Sequence, residues 1–267
     1  MALMPRFKKE YLTVIGRFIK DYVRTSGMEG IVIGMSGGLD SSVVAELCAR
    51  SIGPEKTTGI HLPDKDTAEK DRTDAEELAE SLGISFQIIF IDDFVQSFLS
   101  LECAEDKTRL GNIKARCRMI VLYNIAHSTN CIVAGTSNKS ELLTGYFTKF
   151  GDGASDILPI GDLYKTQVIE LAREIGIPDS LIEKKPSAAL WPGQFDEQEL
   201  GISYEELDSV LLGIELGFSA EEIIERTELD AAKVQQVIER VDKSVHKRRL
   251  GLIPKLGVST VGLDWRE

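Results

Sequence analysis

The stretch Gly34-Met35-Ser36-Gly37-Gly38-Leu39-Asp40-Ser41-Ser42 follows the apolar run Ile31-Val32-Ile33 and precedes a helical pattern. A strand, a tight bend of small residues and a helix in that order commit this part of the chain to a strand–loop–helix unit. Small residues let the backbone approach an anion, and the N-terminus of the next helix aims unpaired N–H groups at it. The loop therefore reads as a pyrophosphate cradle, with the hydroxyls of Ser36, Ser41 and Ser42 as further donors. A plain Gly-rich turn with one capping residue is the competing explanation, but a cap needs one polar side chain and this loop offers four.

Two familiar glycine loops do not fit. No Lys follows Gly37-Gly38 as a Walker A loop requires, and the spacing is wrong for a dinucleotide fingerprint. The remaining pattern, Ser-Gly-Gly-x-Asp-Ser, is similar to that of the pyrophosphatase-loop ATPases, which cleave ATP to AMP and pyrophosphate.

Hydrophobic periodicity extends the first unit into an α/β fold. Residues 6–25 read as an amphipathic helix, and strands are expected at 30–35, 57–62, 85–91 and 131–135, with helices at 40–51, 66–82 and 112–128 between them. That alternation predicts a doubly wound, mostly parallel five-stranded sheet with helices on both faces, an adenine nucleotide alpha hydrolase-like fold, carrying the loop at a carboxyl strand end. Beyond residue 160 the pattern turns helical, at 164–175, 203–216, 219–226 and 230–245. Capping-box spacing occurs at Asp66/Glu69, Ser203/Glu206 and Ser219/Glu222. A single domain over 1–267 is expected, with a nucleotide-binding core at about 28–175 and a helical part at about 176–267.

Composition narrows the function classes. A net charge of −12 disfavours nucleic acid as a partner, since a basic face is needed. No run approaches the ~18 apolar residues of a membrane span, and Met1 to Glu10 lacks a signal-peptide core, so a cytoplasmic protein with no membrane association is expected. Cys48, Cys103, Cys117 and Cys131 stand apart without metal-ligand spacing and read as reduced, mostly buried thiols. The basic run His246-Lys247-Arg248-Arg249 reads by default as solvated surface or a helix C-terminus.

Further blocks carry the chemistry. Gly135 to Gly153, containing Thr136-Ser137-Asn138-Lys139-Ser140-Glu141 and Phe147-Thr148-Lys149-Phe150-Gly151-Asp152, is dense in functional side chains. With Asn112 to Met119, Lys184 to Leu190 and His246-Lys247-Arg248, it closely resembles the ammonia-dependent NAD synthetases from about Ile31 to Arg249. The resemblance implies adenylation of the nicotinate carboxylate of deamido-NAD by ATP, then displacement of AMP by ammonia. It further implies that Gly34, Met35, Ser36, Gly37, Gly38, Leu39, Asp40 and Ser41, with Thr136, Lys165 and Ser187, contact ATP. Asp40 and Glu141 would hold Mg²⁺, and Asp40 and Lys165 would be catalytic. Arg116, Lys149, Asp156, His246 and Lys247 would contact deamido-NAD.

Taken without the resemblance, Asp40 is a helix cap, Glu141 a first-turn charge, and Arg116 an ordinary helix-surface charge. Ser187 stands where many relatives carry Thr, and Trp191 to Glu197 resembles a mobile loop that would exclude water from the adenylate. The resemblance also implies a homodimer, and ammonia from bulk or from a separate glutaminase. Another pyrophosphatase-loop amide ligase and a non-catalytic ATP-binding module are the alternatives. Ligases with a built-in glutaminase are disfavoured because only about 30 residues precede the loop.

Overall fold

The computed structural model describes residues 3–99, 106–191 and 193–264. The expected thiol Cys103 and residue Pro192 lie outside them. Four parallel strands, β1 (Gly30–Gly34), β2 (Thr57–His61), β3 (Ser85–Ile88) and β4 (Cys131–Ala134), form a sheet of order β3-β2-β1-β4. The central strand is apolar without interruption, as a strand covered on both faces must be. Ile31 and Ile33 pack into one hydrophobic cluster and Val32 into another, each fully buried.

Helix α1 (Glu10–Ser26) packs on α2 (Leu39–Ile52), which also contacts α3 (Glu69–Leu82). α4 (Asp92–Leu99) and α5 (Lys107–Ser128) pack together, and α5 contacts β1 and β4. After β4 come α6 (Lys139–Thr144), α7 (Lys165–Ile175), α8 (Asp179–Ile182) and α9 (Asp196–Leu200). The chain closes with α10 (Tyr204–Glu215), α11 (Ala220–Thr227) and α12 (Ala231–Lys243), which share a third hydrophobic cluster with Tyr164. Among the described residues no helix is long and apolar enough to cross a membrane.

The sheet has four strands among the described residues rather than the five expected. The fifth place, beyond β4, holds only an isolated parallel bridge between Ala134 and Ile157. The cause is local: the Val133 N–H donates to the Asp156 carboxylate at 2.7 Å, so a side chain occupies a rung of the ladder and the pairing goes no further. β3 is shorter than expected because the chain after Ile88 leaves strand geometry, although Ile89 and Ile91 still donate to the carbonyls of His61 and Pro63. The capping boxes at Ser203 and Ser219 form. The one at Asp66 does not, since α3 starts with Ala68 as N-cap while the Asp66 carboxylate accepts from Lys114 Nζ at 2.9 Å.

Lys114 explains that displacement. Its side chain is 3% exposed, and its ammonium also reaches Asp64 at 2.9 Å and the Leu190 carbonyl at 3.0 Å, with Arg118 adding a contact to Asp64 at 3.3 Å. A buried pair gains little over apolar packing, but removing one partner strands the other charge in a poor solvent. Lys114→Met is expected to destabilise the fold by about 3–5 kcal/mol, seen as a lower urea midpoint with an unchanged denaturant slope.

Of the described thiols two are buried as expected, and Cys131 is half-buried. Cys48 and Cys117 are buried, and burial pushes both thiols upward, for Cys117 against the opposing charge of Arg118.

Candidate active site

Gly34 ends β1, and the Met35 N–H makes a further rung to the Ile60 carbonyl at 2.9 Å. The Met35 carbonyl accepts from Nδ1 of the buried His61 at 2.8 Å, which holds the chain as it leaves the sheet. Gly37 has φ +77°, and a Cβ there would lie 2.8 Å from Asp71 C and 2.9 Å from its Cα. Only glycine fits a bend pressed that closely on α3. Lys184 closes the contact, donating to the Gly37 carbonyl at 2.7 Å while pairing with Asp71 at 2.7 Å and Asp74 at 2.6 Å.

The three loop hydroxyls are engaged within the loop itself. Ser41 and Ser42 donate to the Gly38 carbonyl at 3.0 and 2.8 Å, and Ser36 Oγ lies 3.1 Å from Ser41 Oγ and accepts from the Gly38 N–H at 3.2 Å. They shape the bend rather than point out of it. Anion affinity then falls to the backbone N–H groups of the first turn of α2, which begins at Leu39 and Asp40 with Gly38 as N-cap. Such groups have no intrahelical acceptor and carry the positive end of the helix dipole.

Asp40, Glu141 and Lys165 converge across the loop. Lys165 opens α7, is 2% exposed and pairs with Asp40 Oδ2, while Asp40 Oδ1 receives a long bond of 3.5 Å from the Asn138 amide. Asn138 also caps α6 in a reciprocal box with Glu141, at 3.0 and 3.3 Å. Burial drives the Glu141 carboxyl well above the usual carboxylate range, the Asp40 charge adds to that, and Lys165 opposes it. Burial alone would lower the Lys165 ammonium, yet the charges of Asp40 and Glu141 raise it above its ordinary value.

A third carboxylate joins them. Asp196 at the start of α9 is 4% exposed, accepts from Tyr204 at 3.1 Å and leaves Oδ1 without a partner. Burial raises its pKa, and the charges of Lys165 and Asp40 act on it in opposite senses. The Lys165 ammonium also lies 5.6 Å from the Tyr204 ring centre. Asn138 had a legible signal, an Asn-x-x-Glu cap spacing. Asp196 falls in the 191–197 stretch that the resemblance marks as a loop, but no local pattern singles out its carboxylate.

The other expected contacts divide. Thr136 lies in the turn between β4 and α6. Ser187 is exposed, donating to the Gln194 carbonyl at 2.7 Å and accepting from the Ala189 N–H at 3.0 Å, so it organises the stretch leading to Asp196. Arg116 donates to the Lys149 carbonyl at 3.2 Å, and Lys149 to the His246 carbonyl at 2.7 Å. Lys247 donates to the carbonyls of Gly145 and Phe147 at 2.7 and 2.8 Å, and burial lowers its pKa. These four basic residues thus gather around 145–149. Asp156 does not join them, since its carboxylate serves Val133 and, at 3.4 Å, Tyr123. Arg248 bonds the Leu143 carbonyl at 2.7 Å, so part of the basic run does cap a helix end. A cavity of about 530 Å³ lined by Phe98, Asn112 and Arg116 among others does not border the Lys165 cluster.

A parallel sheet with a serine–glycine bend at the carboxyl end of an inner strand, faced by a lysine among carboxylates, is the architecture of an α/β enzyme. The family model for NAD synthase matches residues 11–251, and the chain belongs to that family. It is 49% identical over 234 residues to the NH3-dependent NAD⁺ synthetase of Archaeoglobus fulgidus, covering 87% of this chain and 91% of that one. Among solved structures, the NMN synthetase of Francisella tularensis superposes with a TM-score of 0.82 at 38% identity, covering 93% of this chain and 98% of that one. The NH3-dependent NAD synthetase of Campylobacter jejuni gives a TM-score of 0.80 at 31% identity, covering 92% and 98%.

Proposed function

We propose that this protein is a C–N ligase that amidates deamido-NAD with ammonia, converting ATP to AMP and pyrophosphate and yielding NAD. The observation that carries the reading is the Lys165 ammonium buried against Asp40 beside the bend that follows β1. A carboxylate resists nucleophiles because its leaving group would be oxide, and adenylation replaces that with AMP. A carboxylate oxygen attacks the α-phosphorus, the bond to the bridging oxygen breaks and pyrophosphate leaves. Ammonia then attacks the acyl carbon, loses a proton to solvent, and the C–O bond to AMP breaks.

The residues divide that work. The first turn of α2 and the bend from Gly34 to Ser41 bind the outer phosphates. Lys165 stabilises charge gathering on the α-phosphate and later on the tetrahedral oxyanion. Arg116, Lys149 and Lys247 supply positive charge for the dinucleotide phosphates, His246 adds a polar contact beside them, Asp156 reaches a ribose hydroxyl only with the oxygen that receives the long Tyr123 bond, and Thr136 and Ser187 border ATP.

Asp40 and Glu141 fit Mg²⁺: desolvation and then the Asp40 charge oppose ionisation of the half-buried Glu141, and a hard cation with oxygen ligands would offset both. Among the described residues no set of three or more His, Cys, Asp or Glu is arranged to hold a metal. Magnesium, when bound, supplies positive charge against the phosphates. We take the chain to act as one catalytic unit within a homodimer in the cytoplasm.

Product analysis tests the reading. Incubation with ATP, Mg²⁺, deamido-NAD and ammonium is expected to give NAD, AMP and pyrophosphate in equal amounts, with glutamine unable to replace ammonium. ATP returned intact would identify a binding module instead. Nicotinate mononucleotide belongs in the same assay, because one structural relative is named an NMN synthetase; its preferential consumption would reassign the acceptor.

A further inference from the structure

Asp208 lies on α10, in the helical region, and is completely buried. Its carboxylate joins two other elements. Oδ1 accepts from Ser140 Oγ at 2.5 Å, and Oδ2 accepts both the N–H and the hydroxyl of Thr166 at 2.8 Å each. Ser140 Oγ accepts in turn from the Lys165 N–H at 2.9 Å. Ser140 is the chain neighbour of Glu141, and Thr166 that of Lys165. One carboxylate therefore holds the backbones that carry both side chains facing Asp40.

The need for such a tie follows from length. α6 has six residues, too few to hold its own direction, since helices this short depend on tertiary contacts. A buried carboxylate, for its part, is tolerated only where hydrogen bonds satisfy it. The two requirements meet at Ser140.

We propose that Asp208 is a positioning residue for the ligase reaction, fixing α6 against the start of α7 so that Glu141 and Lys165 meet Asp40 in working geometry. This rests on the roles given above to Lys165 and Glu141. A displacement of about 1 Å at a reacting centre costs about 100-fold in rate, whereas a group that merely supports the fold affects turnover only through the folded fraction.

The test uses the full chain carrying Asp208→Asn, Ser140→Ala or both, read by kcat, KM for ATP and thermal midpoint. Each single change is expected to lower kcat by at least about tenfold with KM for ATP within about twofold. The double variant is expected to fall little further than the worse single one, because both act through one bridge. Ser140→Ala leaves the Asp208–Thr166 bonds in place, so it decides the matter even where Asp208→Asn fails to fold. Wild-type kcat in Ser140→Ala, with Lys165→Met inactive beside it, would overturn the positioning role alone. Full turnover in Lys165→Met would overturn the role of Lys165 and the positioning role together.

Discussion

Lys165→Met is expected to lower kcat by about 10²–10³-fold while leaving KM for ATP within a few-fold of wild type. Methionine nearly matches lysine in length and suits a site 2% exposed, so the change removes charge rather than volume. In the resting enzyme the ammonium is already desolvated and paired with Asp40. Moving such a charge toward a developing anion requires little reorganisation, which is why a fixed cation lowers a barrier more than it tightens ground-state binding. Steady-state kinetics with ATP varied at saturating deamido-NAD and ammonium read the split. A loss carried entirely by KM would make Lys165 a simple nucleotide contact.

Gly37→Ala is expected to weaken ATP by about 100-fold, close to 2.7 kcal/mol. Two costs add at this position. A left-handed conformation is unfavourable by roughly 1–2 kcal/mol for an alanine, and the new methyl meets the backbone of Asp71, which cannot yield as a flexible side chain would. The bend must therefore lift from α3, pulling against the Lys184 contact and turning the N–H groups away from the phosphates. Gly27→Ala provides the comparison. Its φ is +71° but no atom lies within 4 Å of the place an added methyl would take, so it carries the backbone cost alone and is expected to leave ATP affinity unchanged. Calorimetric titration of ATP into the folded variants separates the two, and equal affinities would show that the fit against Asp71 plays no part.

Elements announced by a local pattern were the legible part of this fold. Ile31-Val32-Ile33 announced β1 because a strand covered on both faces needs an uninterrupted apolar run. Ser203 and Ser219 announced helix starts because their partners stand three residues on. Asp66 has the same spacing and failed, since a buried lysine from α5 competes for its carboxylate and no local pattern reveals that. The fifth strand failed for a similar reason, a side chain taking the place of a carbonyl. The short helices α6, α8 and α9 offered too few turns for periodicity to show.

The site was less legible than the fold. Lys165 and Asp40 lie 125 residues apart, and Asn138 and Asp40 98 apart, so their meeting is a product of topology that spacing does not encode. Resemblance to relatives named Asp40, Glu141 and Lys165 and singled out the stretches holding Lys184 and Asp196; what those two touch, and the part of Asp208, come only from the packed structure, through contacts between distant segments.

The carboxylate of Asp156 at the rim of β4 has a bearing on solubility. Outer strands offer exposed amides and carbonyls that invite a neighbouring molecule to add on and start an ordered deposit. Here the Val133 amide is already taken by a negatively charged group, and an incoming polypeptide would have to expel that charge before it docked. Crowded solutions of this protein thus find this margin of the molecule closed to fibril-like growth.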